Sequence, residues 1–408
     1  MLELLKCPLC CCDTSDSLLS LSAGNFSGSS LYEEIKVASC FECGHIYNKL
    51  TKQEVVGLVD YYNKEYSPIT LNTSNTTGDL PGSKNKNTYL RHNHLIDFVS
   101  SHIDQRSRIL DIGCALGGLL HILQERGFTE LHGIDMTEHY VTQAKLDTKF
   151  VISQGQAESI PYSEDSFELL FLDQVLEHTI DPRQVFIEAK RVLIQGGYFC
   201  IGVPDAARYK STYFFDYFWF LMREHIQHFD LDHLQYVAEL EGFELVDYKR
   251  TEHDMVSASM VLPNLNVLFK LKDEDADSSL PVPKARYDLR DDLIDYFSDE
   301  SKRLNSRCDL FNTLSDQNTP LYFWGIGREF TYLYENLALS KECISGLIDT
   351  NEFKQRELMV DGLKISSPAL LDQAKDNSAV VITAVAHTSA IKQTLAAMNF
   401  KGTVLEIA

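Results

Sequence analysis

Two groups of chemistry-bearing residues stand at short spacing in this sequence. Near the start, "CPLC" supplies Cys7 and Cys10, and "CFECGHIY" supplies Cys40 and Cys43. A CxxC turn lets two thiolates approach one ion, and two such turns complete a tetrahedral Zn²⁺ shell. Four protein ligands close that shell, so the expected zinc is structural rather than catalytic. Cys11 and Cys12 offer alternative thiols beside the first turn. In the middle of the chain, "MREHIQHFDLDH" (residues 222–233) holds His225, His228 and His233, with Glu224 beside the first. Such imidazoles serve as bases, as metal ligands or as ordinary packing. His225 and His228 could share a helix face, but no independent carboxylate or cysteine signature completes a metal shell around them. His228 and His233 read as anchors of the helix "DLDHLQYVAELEG".

The elements that must position these residues follow from hydrophobic pattern and turn residues. "RILDIGCALGG" is a buried strand ending in a glycine turn that opens the helix "LLHILQERG". Gly113 and Gly117 remove side chains where backbone must approach a ligand, and the helix beyond presents unpaired N–H groups. Asp135 closes the next strand, "LHGID", where its carboxylate can accept both hydroxyls of a ribose. Short apolar strands then alternate with helices as far as "NVLFKLK", the pattern of a parallel α/β sheet. Beyond an acidic linker, Leu289, Leu293, Phe297, Leu304, Cys308 and Phe311 recur at multiples of a helical turn and predict a connecting helix. From "PLYFWGIGREF" to "ISGLIDTN" the order strand, glycine turn, helix, strand, Asp is repeated, with Phe330 at the third glycine position of GxGxxG. Four segments result: a zinc-binding module over 1–54, an α/β domain over 55–275, a linker and helix over 276–317, and a second Rossmann-like domain over 318–408. The polar stretch 72–88, "NTSNTTGDLPGSKNKNT", reads as a surface loop or lid.

Composition narrows the function classes. Hydrophobic residues make up 44% and charged residues 24% of the 408, a globular balance. A formal charge of −22 argues against nucleic acid as partner, which needs a basic surface to displace counterions. The longest aromatic run, "STYFFDYFWFLM", is too short to span a bilayer and is broken by Asp216. With no signal-peptide pattern at "MLELLKCPLC", the expectation is a cytoplasmic protein.

The segments from "DIGCALGG" through Asp135, "GQAESIPY", "LEH" and "RVLIQGG" stand in the order of class I S-adenosylmethionine-dependent methyltransferases, and residues 90–270 resemble that family. The resemblance implies that Asp111, Gly113, Cys114 and Gly117 line the methionine end of the cofactor. It implies that Asp135 holds the ribose, Met136 packs on adenine, Gln156 and Ala157 edge it, and Asp173 lies near the sulfonium and amino group. Ala115 stands where the family more usually has glycine. Glu177 and His178 of "LEH" read as the start of a helix rather than as chemistry.

The full order of zinc module, methyltransferase domain and C-terminal Rossmann-like domain resembles a narrower family, the sugar C-methyltransferases that build branched deoxysugars on nucleotide carriers. That likeness implies an S-adenosylmethionine cofactor, a structural zinc, a nucleotide-sugar acceptor enclosed with help from the third domain, and proton abstraction by a Glu-His pair matched by Glu224 and His225. Met222 replaces the family's usual tyrosine. A carbon beside a carbonyl becomes a nucleophile by losing a proton, which calls for a base and for a donor to the enolate oxygen. His225 is the expected base, oriented by Glu224, with Tyr66 of "YYNKEY" as acceptor contact or enolate donor. The alternatives are methyl transfer to oxygen or nitrogen of another small molecule or of RNA, and a cofactor-binding scaffold without turnover.

Overall fold

The structure, a computed structural model, describes residues 6–24, 26–70, 82, 86–146, 150–211, 218–254, 261–272, 287–316, 319–336 and 341–407. Its central layer grows from the strand Ile109–Ile112, which is buried at every position. A strand covered on both faces must be apolar throughout, and Asp111 is the exception that marks a site. This strand is flanked by Leu131–Asp135 and Val151–Gln154 on one side and by Phe167–Asp173 and Leu193–Pro204 on the other, all parallel. Val261–Leu271 then runs antiparallel, inserted between Leu193–Pro204 and the edge strand Phe243–Asp254. Asp111, Asp135 and Asp173 all lie at the carboxyl ends of their strands, the side where open α/β sheets bind ligands.

The C-terminal unit is a second parallel sheet, Thr403–Glu406, Ala379–Ile382, Leu321–Trp324, Ile344–Ile348 and Leu363–Ser366 in spatial order. It is extended antiparallel by Met359–Val360 and then by Phe26–Ser27 from the N-terminal segment. The N-terminal strands Ser15–Ser22, Glu34–Cys40 and Ile46–Asn48 form an antiparallel sheet whose fourth strand, Gln227–His228, comes from the middle of the chain. The first fifty residues thus lend a strand to one unit and borrow one from another. A module so small buries little core of its own, and paired edges compensate.

The helix Tyr287–Asp316 connects the two large units, with Leu289 and Leu293 fully buried and Tyr296 stacked on Tyr209. The side chains of Leu304, Cys308 and Phe311 lie outside the described ones. Of the polar stretch 72–88, residues 86–88 already belong to the helix Lys86–Val99, Gly82 is described, and the remainder lies outside the described residues. The histidine-rich segment is not the helix its spacing allowed. Within residues 222–233, Gln227–His228 form a strand and 231–233 open the helix Leu231–Leu240, so His225 and His228 share no helix face. Strand pairing with Ile46–Asn48 overrides local periodicity there.

Candidate functional site

At the carboxyl ends of the central strands lies a cavity of about 630 Å³, bounded by both halves of the sheet and by the helical segment that carries Tyr61, Tyr62 and Tyr66. Its first half is built on the glycine turn. Gly113 has φ +77°, and a Cβ there would meet Val175 Cγ2 at 2.4 Å, so the turn needs glycine to pass Val175. Ala115 adopts φ +45° at the position where glycine is more usual, and its N–H donates to Asp135 Oδ2 at 2.9 Å. The Thr137 N–H donates to Asp135 Oδ1 at 2.8 Å. Asp135 is therefore clamped by backbone while it faces the cavity.

Asp173 pairs with Arg91 at 2.6 Å, with His92 Nε2 3.8 Å away. A Cβ on Gly202 would stand 2.3 Å from Asp173 Oδ1, so the neighbouring strand admits this carboxylate because it carries glycine there. Burial, then the carboxylates of Asp173 and Asp135, push Asp111 up to about 8, with Arg91 opposing. Burial also raises Asp135 and Asp173, offset in the one by backbone N–H groups and in the other by Arg91. Three buried carboxylates at one end of a cavity make a receptor for a cationic group such as a sulfonium or an ammonium.

The second half is lined by Tyr61, Tyr62, Tyr66, Glu177, His178, Trp219, Met222, Glu224 and His225. The Tyr61 hydroxyl donates to Glu224 Oε1 at 2.9 Å. His178 Nδ1 lies 2.7 Å from the Glu224 carbonyl and 3.1 Å from the Tyr62 hydroxyl. Glu224 thus accepts from Tyr61, His178 and the Ile226 N–H, while the His225 ring rests against His178 at 5.2 Å and edge-on to Trp219 at 5.0 Å. Burial, reinforced by His178, His228 and Arg328, holds His225 well below the usual imidazole range, so it is neutral near pH 7. Burial raises the Tyr66 phenol well above its ordinary value, with Tyr140 and Glu224 adding to it, and keeps its proton in place as a donor. Glu177 is 1% exposed, and burial pushes it up to about 8. The segment is held from both flanks: Asn48 Nδ2 donates to the His225 carbonyl at 3.0 Å, and the Tyr332 hydroxyl to the Leu221 carbonyl at 2.8 Å.

Cys7, Cys10, Cys40 and Cys43 bring their sulfurs within 4.8 Å of one another. Cys7 and Cys43 are 3.6 Å apart and Cys10 and Cys40 3.4 Å. Zn–S bonds of about 2.3 Å give tetrahedral S···S edges of about 3.8 Å, so the arrangement fits a closed zinc shell. Cys12 instead faces Thr14, outside this set. His233 donates from one ring nitrogen to the Cys43 carbonyl at 2.8 Å and from the other to Asp230 at 2.7 Å. Burial opposes its charge, but the Asp230 contact prevails and raises it. His228 meets the Tyr209 hydroxyl. Both histidines are thus held among buried groups away from the cavity lining.

Every cofactor position expected from sequence borders this cavity except Gly117, which heads the helix Gly118–Glu125 with φ +79° and shapes the turn rather than the cavity wall. Cys114 borders it too, but its sulfur faces inward to Gly133, where a Cβ would come within 2.8 Å. Sequence reading missed Arg91, which lies in a helix of ordinary polar composition, and Tyr61 and Tyr62, whose partners are more than a hundred residues away. It also set aside Glu177 and His178, whose motif was visible but whose lining of the second half is a tertiary fact.

Residues 110–201 match the methyltransferase domain family. An uncharacterized 37.1 kDa protein from a transposon of Streptomyces fradiae is 34% identical over 24% of this chain and 30% of its own length. A sterol 24-C-methyltransferase of Schizosaccharomyces pombe is 28% identical over 27% of this chain and 30% of its own. A ubiquinone biosynthesis O-methyltransferase of Neisseria meningitidis is 29% identical over 22% and 41% respectively. The chain spans less than half the length of these curated relatives. Among solved structures, a S-adenosylmethionine-dependent methyltransferase from Methanosarcina mazei aligns over 43% of this chain and 98% of its own with 18% identity and a TM-score of 0.36. Residues 110–201, which run through the central α/β sheet, are thus similar to the methyltransferase domain family.

Proposed function

We propose that the chain transfers the methyl group of S-adenosylmethionine to carbon on a nucleotide-linked keto-deoxysugar, in the synthesis of a glycan or a glycosylated metabolite. The observation that carries this reading is one cavity with two chemistries: an acidic end at Asp111, Asp135 and Asp173, and an end with a phenol, a carboxyl group and a neutral imidazole at Tyr66, Glu224 and His225. The acidic end suits the cofactor, which when bound supplies an electrophilic methyl on a cationic sulfur. Gly113, Cys114, Met136, Gln156 and Ala157 border the same end and would frame the methionine and adenine parts.

In the other half, the neutral His225 imidazole is ready to accept a proton from the carbon beside the acceptor's carbonyl. The Glu224 carboxyl group borders the same half of the cavity, fixed there by the Tyr61 hydroxyl. The Tyr66 phenol, kept protonated, donates to the enolate oxygen. Cys7, Cys10, Cys40 and Cys43 would hold a structural Zn²⁺ and so brace the strand Gln227–His228 that follows His225. The third domain supports the acceptor end through Tyr332 and through Asn351, which donates to the Pro68 and Ile69 carbonyls at 3.0 Å just beyond Tyr66.

The test is methyl-labelled S-adenosylmethionine offered together with nucleotide keto-sugars and, separately, total RNA. The expected result is label on carbon of the sugar, by mass spectrometry, lost at least ~100-fold in His225→Ala, the scale of general-base catalysis. Label on a sugar oxygen or in RNA would refute the carbon acceptor, and cofactor binding without transfer to any acceptor would support a scaffold.

A further inference from the structure

We propose that Glu177, His178 and His225 form a divalent-cation site in the acceptor half of the cavity, and that a cation seated there withdraws His225 from proton transfer. The ligand atoms of the three side chains all lie within 4.8 Å of one another. The His178 Nε2 atom stands 3.8 Å from Glu177 Oε1, a separation that a shared ion between them accommodates. All three residues border the cavity.

The independent observation is Glu177 itself. It is 1% exposed, and among the described residues neither carboxylate oxygen has a hydrogen-bond partner other than the residue's own backbone. Buried carboxylate oxygens are normally satisfied, and one that no other described residue pairs calls for an explanation such as an ion. The two imidazoles are prepared in the way metal-binding histidines are. His178 donates from Nδ1 to the Glu224 carbonyl at 2.7 Å, which leaves Nε2 with its lone pair on the side of Glu177. His225 bonds one ring nitrogen to the Trp219 backbone, which leaves its other nitrogen as an acceptor.

Two imidazoles and one carboxylate suit zinc, cobalt or nickel better than magnesium, which favours an all-oxygen shell. Unlike the closed cysteine site, three protein ligands leave positions open toward the cavity for an acceptor oxygen. The nitrogen that would take the acceptor's proton is the nitrogen that would bind the cation, so the two compete. That second clause rests on the methyl-transfer reading; the binding site does not.

The experiment is Co²⁺ titration of the full-length protein with zinc already in its cysteine site, read by the visible d–d absorption of cobalt and by metal analysis. The expected result is one further equivalent without a sulfur-to-cobalt charge-transfer band, weakened about tenfold or more in Glu177→Gln and in His178→Ala. Retained S-adenosylmethionine binding by Glu177→Gln verifies that this variant is folded. No further equivalent, or one bound equally by both variants, would overturn the site. In turnover assays the cation is expected to suppress methyl transfer in the wild type, with recovery on adding a chelator. A rise in turnover would overturn the competition with His225, while cobalt binding without methyl transfer under any condition would refute the activity and leave the site standing.

Discussion

The two Rossmann-like units of this chain contain the same backbone clamp and use it differently. In the first, "DMTEHY" begins with Asp135, whose two oxygens receive the Ala115 and Thr137 N–H groups. In the second, "DTNEFK" begins with Asp349, whose oxygens receive the Ile326 N–H at 3.0 Å and the Asn351 N–H at 2.9 Å. Five residues after the aspartate the units part. The first has Tyr140, which lines the cavity; the second has Lys354, whose ammonium lies 2.9 Å from Asp349 Oδ2 and 2.8 Å from the Ile326 carbonyl. Phe330, at the missing third glycine, is fully buried between Phe323 and Tyr334. The second unit supplies a cation to its clamped aspartate where the first leaves Asp135 facing a cavity. Strand, glycine turn and aspartate therefore specify a clamp, and the residues around it decide whether a ligand fits.

The largest effect expected from this contrast is at the aspartates. Asp135→Ala should weaken S-adenosylmethionine about 100-fold or more in calorimetry, ~2.7 kcal/mol, the scale of lost charged hydrogen bonds. Asp349→Ala should change that affinity by less than about twofold, and an equal loss in both would break the contrast.

Next comes Lys354→Ala, which leaves a largely buried carboxylate without its cation. Discounted for the 15% and 11% exposure of the pair, the cost should be about 2 kcal/mol in denaturant unfolding. The cofactor's affinity should hold. A loss of binding without loss of stability would mean that the second unit contributes to the cofactor site.

The smallest effect is a pH dependence of the first unit. Asp111 is raised to about 8 without ligand, and a cationic ligand favours its ionised form, so binding releases a proton. Affinity should then climb with pH by up to about tenfold per unit and level off above about 8. Asp111→Asn should flatten the profile. A wild-type affinity independent of pH between 6 and 9, as approximate limits, would show that Asp111 is already ionised in the free protein.

Legibility in the sequence followed the range of the interactions involved. The clustering of the cysteine pairs, the glycine turn and the place of Asp135 were readable because each geometry is set by neighbouring residues in the turn they occupy. The connecting helix was likewise visible from spacing that matches its own period. The spacing of His225 and His228 allows a shared helix face, whereas the conformation there comes from pairing with Ile46–Asn48, about 180 residues earlier. Arg91 and Tyr61 were invisible for the same reason: their partners, Asp173 and Glu224, lie on other elements.

By itself, then, the sequence determined which backbones turn and which thiols and carboxylates those turns carry, because hydrophobic period, glycine and CxxC act within a few residues. Tertiary structure alone decided which carboxylates remain unpaired. Burial raises Asp111 and Glu177 and suppresses charge on His225, whereas Lys354 folds back on Asp349 and the cysteine module is stitched into both larger units. Desolvation and charge pairing depend on what surrounds a group in space, and a linear pattern does not carry that information.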